Sequence, residues 1–176
     1  MRSEEARAAH LARATADPDA GVAETVEQAA RSTRVRGAPA AGAELFEAAA
    51  RLTPPGATLD RARRLLASAE AWYLAGDHRR PRPVLAALLD ELPAGDLRSE
   101  AAWRLGVILD EAGDWRDGTA LWTSALAGTD DPGLMSSLQC SLAITAFYTE
   151  SVQDAATWSV AAVASAERSS DPARIA

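Results

Sequence analysis

Apolar residues recur along this chain at spacings of three and four positions, and no long segment alternates apolar and polar residues. The first pattern is typical of amphipathic helices, and the second, which is typical of strands, is missing. Abundant alanine and few β-branched residues also favour helices, since alanine loses no side-chain entropy in a helix. The pattern predicts nine helices, at residues 3–15, 20–36, 39–52, 58–75, 80–92, 97–112, 115–127, 132–149 and 152–169.

One short segment, Ala-Gly-Asp, occurs at residues 75–77 and again at 112–114, each time between two helical patterns. A glycine in the left-handed conformation ends one helix, and the aspartate after it caps the next. Helices joined so tightly must fold back on one another. Gly37 is a similar turn position 39 residues before Gly76, and Gly113 follows 37 residues after Gly76. We therefore expect an N-terminal helix at 1–16 and antiparallel hairpins at roughly 19–54, 58–93, 97–130 and 132–169.

These hairpins resemble the tetratricopeptide repeat, a helix pair that stacks on its neighbours. The resemblance is clearest in the third hairpin, through Leu105-Gly106, Gly113, Trp115, Trp122 and Ala125. Pro81 and Gly118 depart from it because they stand where the repeat usually has alanine, and Glu150 replaces the turn glycine of the fourth hairpin. The repeat period is a further departure, since it is longer than the usual length of about 34 residues. The resemblance implies one all-α domain, a tetratricopeptide-like superhelix over residues 1–176.

A longer resemblance is carried by segments such as "LLASAEAWYLAGDHRRPRPVLAALLDELPAG". They are similar to the helical-repeat region of large LuxR-type, MalT-like ATPase regulators of transcription from GC-rich bacteria. In that family an ATPase module precedes the repeats and a helix-turn-helix module follows them, so the resemblance implies a middle segment that works with both. The chain itself carries no G-x-x-x-x-G-K-[ST] phosphate loop. Asp171-Pro172 repeats Asp131-Pro132 and predicts the start of a further helix at 171–176.

Net charge and hydropathy exclude several other partners. The formal charge of −7 disfavours a nucleic-acid surface, which needs clustered cations. No apolar run reaches the length of about 18 residues that a membrane span needs, so we expect no membrane partner and a soluble, cytoplasmic protein. Exposed repeat ends suggest self-association. Cys140 is the one cysteine of the chain and lies in an apolar periodic segment, which predicts a buried, unreactive thiol.

The sequence gives few indications of a catalytic, cofactor or metal site. His10 and His78 lie far apart, and neither belongs to a metal-ligand or nucleophile pattern, so we predict no catalytic residue, no cofactor and no metal. The acidic pairs at 110–111 and 130–131 fit helix ends, where carboxylates are solvated or cap N–H groups. The basic stretch at 78–82 fits a solvated turn better than a phosphate site.

The aromatic residues carry the functional hypothesis. Most of the five tryptophans, at 72, 103, 115, 122 and 158, are expected in the core. The tetratricopeptide resemblance implies that the first helix of each hairpin lines a concave groove, which would bind a protein, a peptide or a small effector. Two other interpretations remain open: a free-standing adaptor that binds a partner peptide, and a repeat segment attached to another signalling enzyme. The implied groove residues are Arg31, Arg34, Glu70, Tyr73, Trp103, Val107, Asp110, Ile144, Phe147 and Tyr148.

Overall fold

The computed structural model of the chain describes residues 4–149 and 151–169, which form helices and connecting turns without a strand. The prediction of an all-α fold is confirmed. The predicted helix borders agree within one residue wherever they lie in these ranges. The helices are α1 (Glu4–Ala14), α2 (Ala20–Val35), α3 (Pro39–Leu52), α4 (Thr58–Leu74), α5 (Pro81–Glu91), α6 (Asp96–Glu111), α7 (Trp115–Leu126), α8 (Pro132–Tyr148) and α9 (Val152–Arg168).

The chain divides into two compact units, and the division falls inside α5. Unit 1 is Met1–Leu85 and unit 2 is Ala86–Ala176. The prediction that the whole chain forms one superhelical domain stays a prediction. The helix expected at 171–176 and the turn position Glu150 lie outside the described residues.

Three of the helices end in the same glycine turn. Gly37, Gly76 and Gly113 have φ angles of 85°, 81° and 92°, a left-handed conformation that side chains with a Cβ rarely adopt. At each turn the glycine N–H donates to the carbonyl three residues back. The next N–H donates to the carbonyl five residues back, and all six N···O distances lie between 2.9 and 3.2 Å. The predicted left-handed caps are confirmed.

The aspartates that follow two of these glycines behave differently. Asp77 accepts hydrogen bonds from the backbone N–H groups of Arg79 and Arg80 at 3.2 and 3.1 Å, just before α5. Asp114 makes no such side-chain cap, so that prediction is wrong. Its backbone carbonyl accepts first-turn N–H groups of α7 instead. Asp131, in the second acidic pair, caps α8 at 2.7 Å as expected.

Unit 1 encloses a core made mainly of alanine, completed by a few large side chains such as Phe46 and Trp72. The first helix, α1, belongs to this core through Ala8 and Ala12. Arg51 of α3 donates to the backbone carbonyl of Ala12 at 2.6 Å. The partial negative charge at the C-terminal end of α1 also stabilises the positive charge of Arg51 there. Therefore α1 covers one side of the α2/α3 hairpin.

In unit 2 the core is closed by Trp122 and by three leucines of α8 spaced four residues apart, Leu134, Leu138 and Leu142. Helices α6 and α7 approach closely because both carry glycine at their contact. A Cβ on Gly118 would lie 2.8 Å from the carbonyl oxygen of Gly106, and one on Gly106 would lie 2.8 Å from Cδ1 of Trp122. This contact explains why neither position can carry a Cβ without a shift of its neighbours.

A repeated hydrogen bond shows that α8/α9 copies α6/α7. The hydroxyl of Ser99 donates to the carbonyl of Ala125 at 3.0 Å, and the hydroxyl of Ser136 donates to the carbonyl of Ala162 at the same distance. The donor and the acceptor of the second bond each lie 37 residues after those of the first. The first residues of α7 and α9 are separated by the same interval.

The expectation that most tryptophans lie in the core agrees with the structure, whereas the expectation of a buried Cys140 is wrong. Trp72 and Trp122 are buried and Trp103 and Trp158 are partly buried, but Trp115 is 37% exposed, because it starts α7 at the edge of the hairpin. Cys140 is exposed instead of buried. It lies two residues from Leu138 and therefore about 200° around the helix axis from the leucine stripe of α8.

Candidate functional site

In unit 1 the charged residues of the predicted groove take part in ion pairs. Arg34 of α2 lies 2.7 Å from the carboxylate of Glu70 on α4, and each side chain is only about one-third exposed. Arg31 pairs with Glu27 on its own helix. The two arginines of the predicted groove are therefore matched by carboxylates on α2 and α4.

The same network continues into the interior of unit 1. Glu27 also accepts a hydrogen bond from Nε of Arg64 at 2.8 Å, and Nη1 of Arg64 donates to the hydroxyl of Thr53 at 2.6 Å. The guanidinium of Arg64 is nearly buried, with 9% of the residue exposed. A buried charge is tolerated when it is paired and hydrogen-bonded, so these contacts fix α2 against α4.

Tyr73 belongs to a separate aromatic cluster at the Gly76 turn. Its ring stacks on His78 with centroids 4.8 Å apart, and the guanidinium of Arg80 lies 4.1 Å from the ring centroid of Trp72. The indole N–H of Trp72 donates to Glu47 at 2.7 Å. The basic stretch at 78–82 is thus in contact with the rings of Trp72 and Tyr73, which precede it in sequence. The interpretation of this stretch as a solvated turn did not include these contacts.

In unit 2 the predicted groove residues occupy two helices that pack directly on each other, α6 and α8. The indole N–H of Trp103 donates to Ser141 at 3.2 Å, and the hydroxyl of Thr145 donates to Asp110 at the same distance. Trp103 and Val107 are partly buried against the core of unit 2. The members of the predicted groove on α6 therefore also join the two hairpins.

The predicted groove residues on α8 are much more exposed than those on α6. Ile144, Phe147 and Tyr148 are 51%, 63% and 78% exposed, and the last two rings meet edge to face at 5.7 Å between centroids. Aromatic side chains in such a position leave a large apolar area in water. Contiguous apolar surface of this kind is typical of interaction sites.

These aromatic residues also border a cleft of about 430 Å³ between α8 and α9. The tetratricopeptide pattern gave no indication of the α9 wall, because it assigned groove positions only to the first helix of each hairpin. A second apolar stripe on α9, through Val160 and Val163, was the available signal. The cleft is lined by Cys140, Ala143, Ile144, Phe147, Tyr148, Ala155, Ser159, Ala162 and Val163.

Comparison of the chain with models of known families, with curated proteins and with solved structures found no match. Among residues 4–149 and 151–169, no group of three or more His, Cys, Asp or Glu side chains is placed to hold a metal ion. Over the same residues, no helix combines the length and the apolar character needed to cross a bilayer. Function must therefore be inferred from the surfaces described above.

Proposed function

We propose that this chain is a non-enzymatic interaction and effector-sensing repeat domain of a multidomain LuxR-type regulator of transcription, acting in the cytoplasm. A protein, a peptide or a small effector binds the predicted concave groove, and the neighbouring ATPase and DNA-binding modules respond. The observation that carries the proposal is the exposed group of Ile144, Phe147 and Tyr148 on α8, beside the half-buried groove residues of α6.

The contacts between α6 and α8 suggest how binding is transmitted. Two hydrogen bonds join the hairpins, Trp103 with Ser141 and Thr145 with Asp110. In the first both partners are neutral, and in the second only Asp110 is charged. A ligand that touches both helices binds best when these contacts are formed, so it shifts the population toward that arrangement of the hairpins. The modules attached to the hairpins then experience a different geometry.

The polar groups of the predicted groove favour recognition over catalysis. Arg34 is engaged with Glu70, and Asp110 accepts a hydrogen bond from Thr145. Catalysis requires a nucleophile or base aligned with further positioned groups, whereas these side chains hold neighbouring helices together.

The second candidate is a free-standing adaptor that binds a peptide from another protein. It is favoured by the Phe147–Tyr148 pair, since exposed aromatic rings on a rigid helix are suitable anchors for a peptide. The two candidates use the same surface and differ in what flanks it.

The reading frame around this segment tests the regulator proposal most simply. We expect an upstream phosphate-binding loop, G-x-x-x-x-G-K-[ST], and a downstream helix-turn-helix. A frame that encodes neither module contradicts the regulator and favours the adaptor.

A second test uses the complete encoded protein. Replacing Phe147 and Tyr148 together by alanine should abolish the effector response in a transcription reporter and leave the helix content unchanged, because both side chains are largely exposed. Val35→Ala, at a position that is 84% exposed in unit 1, is the matched control and should respond normally. An unchanged response of the double variant would argue against recognition at this surface.

A further inference from the structure

Equivalent positions of α2 and α6 carry charges of opposite sign. Arg34 and Asp110 each lie three residues before the left-handed glycine that follows their helix. In unit 1 Arg34 forms an ion pair with Glu70 of α4 at 2.7 Å. Over the part of the chain that the structure describes, Asp110 instead accepts a hydrogen bond from the neutral hydroxyl of Thr145 at 3.2 Å. The contact in unit 1 therefore balances its charge, whereas the contact in unit 2 leaves a negative charge.

Asp110 belongs to a pair of facing stripes that we call the seam of unit 2. Each stripe follows one side of its helix at positions i, i+4 and i+7, and the stripes meet through the two hydrogen bonds of Trp103 and Asp110. Side chains three residues apart on a helix are neighbours, so the ring of Tyr148 lies one turn beyond the hydroxyl that contacts Asp110. The seam consists of Trp103, Val107 and Asp110 on α6 and of Ser141, Thr145 and Tyr148 on α8.

The end of the seam at Tyr148 is accessible. Tyr148 is 78% exposed and Asp110 is half-buried. The matching position of the preceding hairpin, 37 residues earlier, is Glu111, which is exposed although α8 packs directly on α6. A further helix packed on α8 in the same way would therefore leave Tyr148 exposed as well.

The chemistry of this end of the seam favours a cation. Residues 86–176 contain 14 acidic residues and five arginines, so the surroundings are negative as well. Arg104, near the other end of the seam, pairs with Glu100 at 2.8 Å. A carboxylate beside an exposed aromatic ring suits a guanidinium group, which donates to the carboxylate and stacks on the ring.

We infer that the seam of unit 2 binds an arginine side chain of a partner peptide between Asp110 and Tyr148. The guanidinium completes in unit 2 the ion pair that Arg34 and Glu70 form within unit 1. Because it touches α6 and α8 together, it also stabilises the contact between the two hairpins. The inference rests on the recognition role proposed above and names the chemistry of the ligand.

Two matched peptides test the inference on the intact chain. The probe is acetyl-Ala-Arg-Ala-amide, and the control peptide carries citrulline, which resembles arginine in shape but has no charge. Binding is followed by NMR through the indole N–H of Trp103 in the seam, with the indole N–H of Trp72 in unit 1 as the reference. We expect a saturable shift of the Trp103 signal with the arginine peptide and binding of the citrulline peptide about fivefold weaker or less, because charge-assisted hydrogen bonds are the stronger ones.

Variants of the two contact residues locate the site. Asp110→Asn removes the charge but keeps an oxygen that accepts from Thr145, so it should weaken arginine binding about fivefold or more without separating α6 from α8. Asp117→Asn is the matched control, because it removes an exposed carboxylate from the first turn of α7, and it should bind as the unaltered chain does. Tyr148→Ala should weaken binding about two- to fivefold, whereas Tyr148→Phe keeps the ring and should bind normally. Circular dichroism checks that all four variants keep their helix content.

Three outcomes would overturn the inference: no shift of the Trp103 signal, equal binding of the citrulline peptide, or unchanged binding by Asp110→Asn. The outcome is separable from that of the proposed function. If the arginine peptide does not bind but the double variant of Phe147 and Tyr148 loses the effector response, the seam recognises another ligand and only this inference fails. If the peptide binds as expected and the double variant responds normally, the inference stands and the proposed role of this surface in regulation fails.

Discussion

Unit 1 joins its hairpins with ion pairs, whereas unit 2 joins them with hydrogen bonds that involve at most one charged group. Between α2 and α4 the contacts are Arg34 with Glu70 and Arg64 with Glu27, at 2.7 and 2.8 Å. In unit 2 the contacts between α6 and α8 are hydrogen bonds with at most one charged partner, Trp103 with Ser141 and Thr145 with Asp110, both at 3.2 Å. The same helical hairpin can thus be stabilised by ion pairs that salt screens or by hydrogen bonds that salt hardly affects.

The two units also differ in what they leave exposed. In unit 1, α1 covers the α2/α3 hairpin with Ala8 and Ala12. In unit 2, the α8/α9 hairpin keeps Phe147 and Val160 more than 60% exposed. Among the described residues, the apolar side of the α8/α9 hairpin is therefore the more accessible of the two.

The largest expected effect concerns the close approach of helices in unit 2. Gly106→Ala should destabilise the protein by about 2–3 kcal/mol, since the new Cβ forces Trp122 out of its place in a packed core. Urea unfolding followed by tryptophan fluorescence measures the change. Gly42→Ala in unit 1 should cost less, because its Cβ would lie 3.2 Å from the carbonyl oxygen of Ala30. Gly56→Ala, with no atom within 4 Å, is the control.

A glycine turn should come next. Gly76→Val places a β-branched residue at a φ of 81° and should cost about 1–2 kcal/mol in free energy of unfolding. Arg79→Ala, three residues away on an exposed side chain, should change stability by less than about 0.5 kcal/mol. Thermal unfolding of the two variants side by side measures both values, and equal midpoints would contradict the hairpin turn.

A smaller effect is expected for a neutral hydrogen bond between the helices of unit 2. Ser99→Ala removes the bond to the carbonyl of Ala125 and leaves that oxygen without its buried donor, at a cost of about 1 kcal/mol. Because no charge is involved, the loss should be the same at low and at high salt. A loss of stability that depends on the salt concentration would contradict this distinction between the units.

The smallest effect is expected for the ion pair of unit 1. Glu70→Gln weakens the contact with Arg34, and because both side chains are about one-third exposed the loss should stay below about 1 kcal/mol. It should shrink further as sodium chloride is raised from 0.05 to about 1 M, a range over which the screening length falls several-fold. Urea titrations at both salt concentrations measure the difference, and a loss that persists at high salt would indicate packing instead of charge.

Local signals in the sequence were sufficient to predict the helices and the glycine turns. Gly37, Gly76 and Gly113 could be identified because a left-handed cap depends on the residue itself and on its immediate neighbours. The exposure of Cys140 depends on which side of α8 meets the core, and the apolar residues around it in sequence predicted it wrongly.

Contacts between distant residues account for what was missed at the candidate site. The ion pair between Arg34 and Glu70 joins residues 36 positions apart, and nothing local to either one signals it. The cleft between α8 and α9 exists because Ser159 stands where Trp122 stands one hairpin earlier, a comparison that needs the register seen in the structure. The role of the predicted groove residues in binding stays a prediction.

The proposal that binding takes place at the exposed surface of α8 requires an accessible cleft between α8 and α9, which is tested most directly by the reactivity of Cys140. This thiol is the one cysteine of the chain, it is exposed, and it lines the cleft between α8 and α9. We predict that a thiol reagent modifies it readily in the folded chain, because the thiol is exposed in the cleft. A reaction that is slow until the chain is unfolded would contradict the claim.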